Sequence, residues 1–391
     1  MIDLFSNSKE PGWTWPVTVA LLATILLAGG PAFAQVDVVQ TLLLSRAPVS
    51  SPPPAVLSES FIVTAPPAPT AIAILLPGGA GLVGLAPNGT GGGTLDVNSH
   101  NFVVRSRCLF AGHNLYTITL DAATDFYLLG GLAGYEGSAA HVSDILTVIA
   151  WARSTMPGLP VWIVGTSRGT GGAFVAGSYS PAQGGPDGLV FAASLNSKTD
   201  RDSLLMANLA GITVPALLIN DAGSTCSIAS TAGEKPVLKA LTQSPRKGIE
   251  QVASGKLTAL TGNCDALSDH GFFGIEDTAV SDIAVWMAIL PATLTPANAT
   301  YATQAVGTTS AAKTFTLTND QTVTLTSIGI STTGDFAVSA TTCTTSLAAK
   351  GKCTISVTFT PTETGTRTGE LSVSDSASNS PQTSSLTGTG K

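Results

Sequence analysis

Charge is what this chain has least of. Only 11% of its 391 residues are Asp, Glu, Lys or Arg, against about 25% in an ordinary soluble domain. With 18 Lys plus Arg and 25 Asp plus Glu, the net charge is −7. No basic field is available for counterion release, which argues against nucleic acid as a partner. A disordered chain needs high net charge and low hydrophobicity, and 44% of these residues are hydrophobic. Histidine is scarce at four, and the five cysteines form no CxxC pair and no zinc-ligand spacing with histidine, so no metal site is expected. There is no GxxxxGK[ST], no HExxH and no EF-hand loop, so no cofactor is expected either. Gly91-Gly92-Gly93 precedes no phosphate-binding helix and reads as a flexible linker.

Long apolar runs are also missing, with one short exception. Val17–Leu27 is apolar, is stopped by Gly29-Gly30-Pro31 and is followed by Ala32-Phe33-Ala34. A membrane span needs about 20 apolar residues. A short apolar core, a breaker and an Ala-x-Ala site instead read as a secretory signal over residues 1–34, an uncleaved anchor being the alternative. The mature chain is then expected to begin near Gln35 and to be secreted, periplasmic or displayed at the cell surface. Export permits disulfides, and the closely spaced Cys343 and Cys353 are expected to pair.

Composition changes near Leu290-Pro291. All four histidines and all five tryptophans precede it, and Thr and Ser dominate after it. Residues 291–391 lack histidine and carry only scattered carboxylates, a poor set for acid–base work. Thr314–Thr318, Cys353–Thr360 and Leu371–Val373 alternate with period two between turn signals, which argues an antiparallel β-sandwich. Residues 35–290 have another rhythm. Ala71–Leu76, Tyr116–Leu120, Val161–Val164, Leu189–Ala193 and Val214–Ile219 are apolar throughout, as strands covered on both faces are. Between them lie helical patterns such as Val142, Ile145, Leu146 and Ile149. The expected fold is a doubly wound α/β domain with a mostly parallel sheet, followed by an all-β sandwich.

The sharpest local signal is Gly165-Thr166-Ser167-Arg168-Gly169, directly after an apolar strand and before a small-residue helical segment. G-x-S-x-G in that context places a serine on a tight strand-to-helix turn, with a helix N-terminus beside a developing oxyanion. The competing reading is an ordinary glycine turn. A serine nucleophile needs a base. His270 follows it in chain order on a loop before the last helix, whereas His100, His113 and His141 precede Ser167 and read as solvated or capping residues. Asp121 and Asp125 follow a strand and would either line a pocket or sit in a solvated loop. Cys108 is left over and reads as a buried small hydrophobe.

With these residues in place, 60–290 resembles the α/β-hydrolase superfamily, and within it a set of exported bacterial hydrolases. The matching segments are Pro77-Gly78-Gly79, Asn101–Arg107, Val164–Thr170 and His270–Glu276. The resemblance implies Ser167 as nucleophile and His270 as base. It also implies an oxyanion hole from the Arg168 N–H and the Gly78–Gly81 loop, with Gly78 and Gly79 as its donors. Arg105 and Arg107 would lie at the pocket rim or in structural salt bridges. In those relatives an aspartate stands two residues before a cysteine, where this chain has Ser224 before Cys226. Asp221, at the strand end, is the chosen third member, with Asp265, Asp269 or no acid as alternatives. Cys226 ends this loop and Cys264 precedes His270, so their pairing would pin acid and base loops together. The tail resembles choice-of-anchor D modules of the abnormal-spindle/hydin type, through Val306–Ser310, Gly334-Asp335-Phe336, Val357–Pro361 and Leu386–Gly390.

The expected function is a serine hydrolase acting on a small-molecule ester or amide through an acyl-enzyme, with possible cell-surface attachment through the tail. The rival is a hydrolase-fold protein of weak or no activity that serves in surface binding or adhesion.

Overall fold

The computed structural model describes residues 25–26, 37–85, 100–198, 202–253, 262–377 and 379–391. The signal expected over residues 1–34 lies outside them apart from Ile25 and Leu26, and so does the linker Gly91–Gly93. Nine strands form the first sheet: β1 (Ile25–Leu26), β2 (Asp37–Leu43), β3 (Ser58–Thr64), β4 (Ala71–Leu76), β5 (Leu115–Leu120), β6 (Val161–Thr166), β7 (Gly188–Ala192), β8 (Ala216–Asp221) and β9 (Lys247–Val252). Their spatial order is β1-β2-β3-β5-β4-β6-β7-β8-β9. The pairings β1–β2, β2–β3 and β3–β5 are antiparallel, and every pairing from β5 to β9 is parallel.

Seven α-helices accompany the sheet: α1 (Phe102–Arg105), α2 (Arg107–Gly112), α3 (Thr124–Tyr127), α4 (Ala139–Thr155), α5 (Gly169–Gly177), α6 (Glu234–Ala240) and α7 (Glu276–Ala288). The reason β4 is apolar throughout is now visible. Ile72, Ile74 and Leu76 pack with Ile145, Ile149 and Ala173 of α4 and α5 on one face. Ala71, Ala73 and Leu75 pack with Phe102, Phe110 and Ile283 of α1, α2 and α7 on the other. Alternate residues serve opposite layers, so no position is left for a polar side chain.

A buried polar cluster flanks the antiparallel edge. Arg46 reaches Asp125 at 2.7 Å and Asp144 at 2.6 Å, both carboxylates fully buried. Asp121 accepts hydrogen bonds from Val83 N, Leu85 N and Tyr127 Oη. The expectation of a solvated loop for Asp121 and Asp125 is therefore corrected: both are buried, Asp121 holding the backbone of Val83 and Leu85 and Asp125 holding Arg46 and Val49 N. Glu59 in β3 is also fully buried, and burial raises its carboxyl well above the usual range, which favours the neutral acid.

After α7 the chain enters a sandwich of two four-stranded sheets. One runs β10 (Ala292–Thr295), β12 (Lys313–Asn319), β17 (Lys352–Phe359), β15 (Phe336–Thr341). The other runs β11 (Asn298–Thr300), β19 (Gln382–Gly390), β18 (Gly365–Ser374), β14 (Gly329–Thr332). A small pair, β13 (Leu325–Thr326) with β16 (Ser346–Leu347), lies beside them. Phe315, Leu317, Ile355, Val357, Phe359, Leu371 and Val373 fill the core, as the period-two pattern requires. One pairing departs from the antiparallel expectation, because β11 runs parallel to β19. Pro296 has no N–H to continue the β10 ladder, and the chain crosses there to the other sheet.

Candidate active site

The site is built at the carboxyl ends of the central parallel strands. β6 ends at Thr166 and α5 begins at Gly169, so Ser167 must reverse the chain in two residues. It does so with φ 52°, a left-handed conformation that costs a non-glycine residue of order 1 kcal/mol or more. The flanking glycines are there for space. A Cβ on Gly165 would lie 2.5 Å from Gly169 O, and one on Gly169 would lie 2.4 Å from Leu76 O.

The structure brings His270 to this serine across 103 residues, with His270 Nε2 3.0 Å from Ser167 Oγ. Both line a cleft of about 230 Å³ together with Gly78, Gly79, Asn101, Arg168 and Asp265. The expected oxyanion donors also converge. Gly78 packs so closely on Ser167 that a Cβ there would stand 2.8 Å from Ser167 Cβ. The backbone N–H groups of Gly79 and Arg168 donate no hydrogen bond among the described residues. Two uncommitted donors beside a serine hydroxyl could meet a developing oxyanion. The Arg168 side chain turns away to pair with Asp202.

No hydrogen bond joins Asp221 to His270 Nδ1 among the described residues. Asp221 is buried at the end of β8, and its Oδ1 accepts from Gly223 N at 2.7 Å. His270 Nδ1 is buried and has no hydrogen-bond partner among the described residues, so the hydrogen bond expected between Asp221 and His270 is not formed there. The physical reason is the turn at 221–224, where Ser224 N donates to Asp221 O and holds the carboxylate against its own backbone. Ser224 Oγ is also buried, with no hydrogen-bond partner among the described residues. Asp265 is exposed and its Oδ2 accepts from Gly262 N. Burial pushes the His270 imidazole down to about 4, against the opposing pull of the Asp265 carboxylate. For Asp269, burial and then the charge of Asp221 raise the carboxyl.

A pH profile follows from that shift. A base must be neutral to take the serine proton, so kcat/KM should stay level as pH falls through 6.5 and drop only near pH 4. His141 behaves alike, its burial holding it at about 4. In the window between 4 and 6.5 the unfolded chain binds more protons than the folded one. Stability should therefore fall on acidification across that window, and acid unfolding followed by tryptophan fluorescence checks it.

Several expectations change here. His141 is 3% exposed rather than solvated, with its ring edge on Phe126 beneath α5. Cys108 is exposed and unpaired, because it lies on the outer side of α2. Arg105 and Arg107 take the salt-bridge alternative, Arg107 with Asp37 at 2.5 Å. Arg105 does more than the sequence showed. It pairs with Glu276 at 2.8 Å and donates to the carbonyls of Ala266 and Gly271, which clamps the loop that carries His270.

Two disulfides are formed, Cys226–Cys264 and Cys343–Cys353. The first closes a 38-residue separation between the Ser224 loop and the His270 loop. Loop closure of that size contributes about 4 kcal/mol in the chain-entropy model. Replacing both Cys226 and Cys264 by serine should lower unfolding free energy by about that amount and lower activity as well, since Cys264 lines the cleft. Denaturant titration and ester turnover read the two effects. Among the described residues no three His, Cys, Asp or Glu side chains are grouped to hold a metal ion, and no helix is long and apolar enough to cross a membrane.

Comparison with known proteins gives the following. Residues 287–383 match the family model described as ASH, abnormal spindle-like microcephaly-associated, ASPM-SPD-2-Hydin. The C-terminal sandwich is thus an ASH-type immunoglobulin-like module. It is similar to the ASH/PapD-like domain of human CEP192, at 17% identity and TM-score 0.23, over 26% of this chain and 86% of that one. An acetyl ester-xyloside bifunctional hydrolase from Caldicellulosiruptor lactoaceticus is similar over 61% of this chain and 89% of its own, at 11% identity and TM-score 0.41. A sugar hydrolase, YeeB, from Lactococcus lactis is similar over 63% of this chain and 97% of its own, at 11% identity and TM-score 0.40. No curated protein matches the chain.

Proposed function

We infer that the chain is an exported serine hydrolase that cleaves a small carboxylic ester through an acyl-enzyme. The observation that carries this reading is Ser167, strained on a strand-to-helix turn, 3.0 Å from the buried imidazole of His270. Ser167 Oγ attacks the ester carbonyl as its proton passes to His270 Nε2. The carbonyl oxygen takes the negative charge and is met by the Gly79 and Arg168 N–H groups. Collapse breaks the C–O bond, and His270 returns the proton to the leaving alkoxide. Water, deprotonated by the same imidazole, then releases the acid and restores Ser167. Esters are favoured over amides because nothing supports the charged form of His270 through Nδ1, and an alkoxide is the easier group to expel. The two disulfides fit an oxidising compartment, and the ASH-type sandwich fits surface attachment.

Treatment with a fluorophosphonate, followed by peptide mass spectrometry, tests the reading. Modification should fall on Ser167. Adduct elsewhere only, or none in folded protein, would overturn it. The unpartnered His270 Nδ1 favours a second reading, a hydrolase fold retained for binding at a surface. Binding of the intact protein to cell-wall material without any adduct would support that one instead.

A further inference from the structure

A second cavity lies at the opposite edge of the same sheet, against the amino ends of β6, β7 and β8. It holds about 500 Å³ and extends from Pro160, Trp162 and Pro215 to Met287, Leu290 and Asn379, the last in the sandwich. Its volume is within the range of small-molecule sites, and its walls are mostly apolar. One lining residue is out of keeping with those walls. Arg246, just before β9, is 2% exposed, and its guanidinium lies 4.5 Å from the Trp286 ring and 5.8 Å from the Trp162 ring. Among the described residues its Nε and Nη1 find no hydrogen-bond acceptor, and neither does Nε of Arg153 on the same wall.

The neighbouring acceptors are already engaged. Asp187 Oδ2 accepts from Val161 N at 2.7 Å and pairs with Arg153 at 3.1 Å. The Asn379 side chain donates to Ala292 O and accepts from Ala292 N and Gln382 Nε2. The cavity therefore offers cationic donors in a mostly apolar wall. Burial also holds the Arg246 guanidinium down at about 10, against the opposing charge of the Asp320 carboxylate. A buried cation with idle donors is costly unless an anion meets it. A carboxylate is the planar acceptor that suits the guanidinium fork. One fully buried guanidinium favours a single negative charge over a phosphate dianion. Aromatic and aliphatic walls favour an apolar body.

We propose that this cavity is a binding site for a small amphiphilic monocarboxylate, whose carboxylate pairs with Arg246 and whose apolar part lies against Trp162, Met287 and Leu290. The site is separate from the catalytic cleft and does not rest on the function inferred for it. Asn379 at its rim and the hydrogen bond from Thr322 N to Pro245 O, 2.7 Å long and next in sequence to Arg246, mean that an occupant would touch the junction of sheet domain and sandwich.

Tryptophan emission gives a direct readout, since two indoles face the guanidinium. The test uses the full mature protein with its catalytic cleft blocked by a fluorophosphonate, or by Ser167→Ala if no adduct forms. Sodium octanoate should give a saturable change in emission, while octanol and octylamine should bind at least tenfold more weakly. Arg246→Met should weaken octanoate at least tenfold and leave fluorophosphonate reactivity as it was. Equal affinity for octanol and octanoate in the unmutated protein would overturn the proposal, so would unchanged octanoate affinity in Arg246→Met, and so would the absence of saturation. The comparison of three ligands on the unmutated protein stands even if the variant fails to fold.

Discussion

Ser167→Ala should lower kcat/KM on a small activated ester such as p-nitrophenyl acetate by about 10⁴-fold or more, with the fold intact. The expectation comes from the 3.0 Å contact between Ser167 Oγ and His270 Nε2. With the nucleophile gone, only the donors of the cleft remain to favour attack by water, and residual catalysis of that kind is small. His270→Ala should cost a similar factor, because a serine hydroxyl without a base is a poor nucleophile. The double variant should be no slower than the worse single one, since residues that act as a unit are not additive. Single variants that keep more than about one-hundredth of the activity, or losses that multiply, would place the chemistry elsewhere. Ser167→Gly makes a further distinction. It should be equally inactive yet tolerate heat as well as or better than the parent, because it releases a φ of 52° that a side chain resists.

The second large effect runs in the opposite direction. Ser224→Asp should raise kcat/KM at least tenfold, and the cost of about 10⁴ for disabling a triad acid sets its ceiling. His270 Nδ1 and Ser224 Oγ are both buried and neither has a hydrogen-bond partner among the described residues, and the Cys226–Cys264 bridge fastens the loop of one to the loop of the other. A carboxylate introduced there would accept from Nδ1, fix the tautomer with a free Nε2 and stabilise the imidazolium that forms during attack. It would also favour the charged imidazole, so the acid limb of the pH profile should climb from about 4 toward neutrality. The charge of Asp221 works against the new carboxylate and keeps the gain below its ceiling. Ser224→Asn, which has the shape without the charge, should leave the acid limb where it is. An unchanged rate and an unmoved limb in Ser224→Asp would show that this side chain does not face the base.

What the sequence revealed depended on whether the cause was local. β4, β5, β6 and β7 were readable because helices cover both their faces, and the apolar run is the direct trace of that. β3 escaped notice although it is buried from end to end, because Ser58, Glu59 and Ser60 make it look like a loop. β9 escaped notice because its outer residues are half-exposed and polar. Ser167 announced itself through two glycines whose spacing the elbow dictates. His270 could be reached through chain order alone. The partner of His270 Nδ1 depends on where two loops place their side chains, and no spacing encodes that. The same holds for Arg46, which meets Asp125 and Asp144 from 79 and 98 residues away. Arg246 gave no signal at all, because its surroundings are assembled from β6, α7 and the domain junction.

The contacts joining the two domains carry a mechanical consequence. The sandwich grips the sheet domain through Thr322, whose N and Oγ1 both donate to Pro245 O, beyond the amino ends of the parallel strands. Ser167 and His270 sit beyond the carboxyl ends. Were the sandwich fixed to a surface, tension would enter the sheet domain at the edge farthest from the elbow. The cleft would then open outward, away from the support, with its geometry off the line of strain.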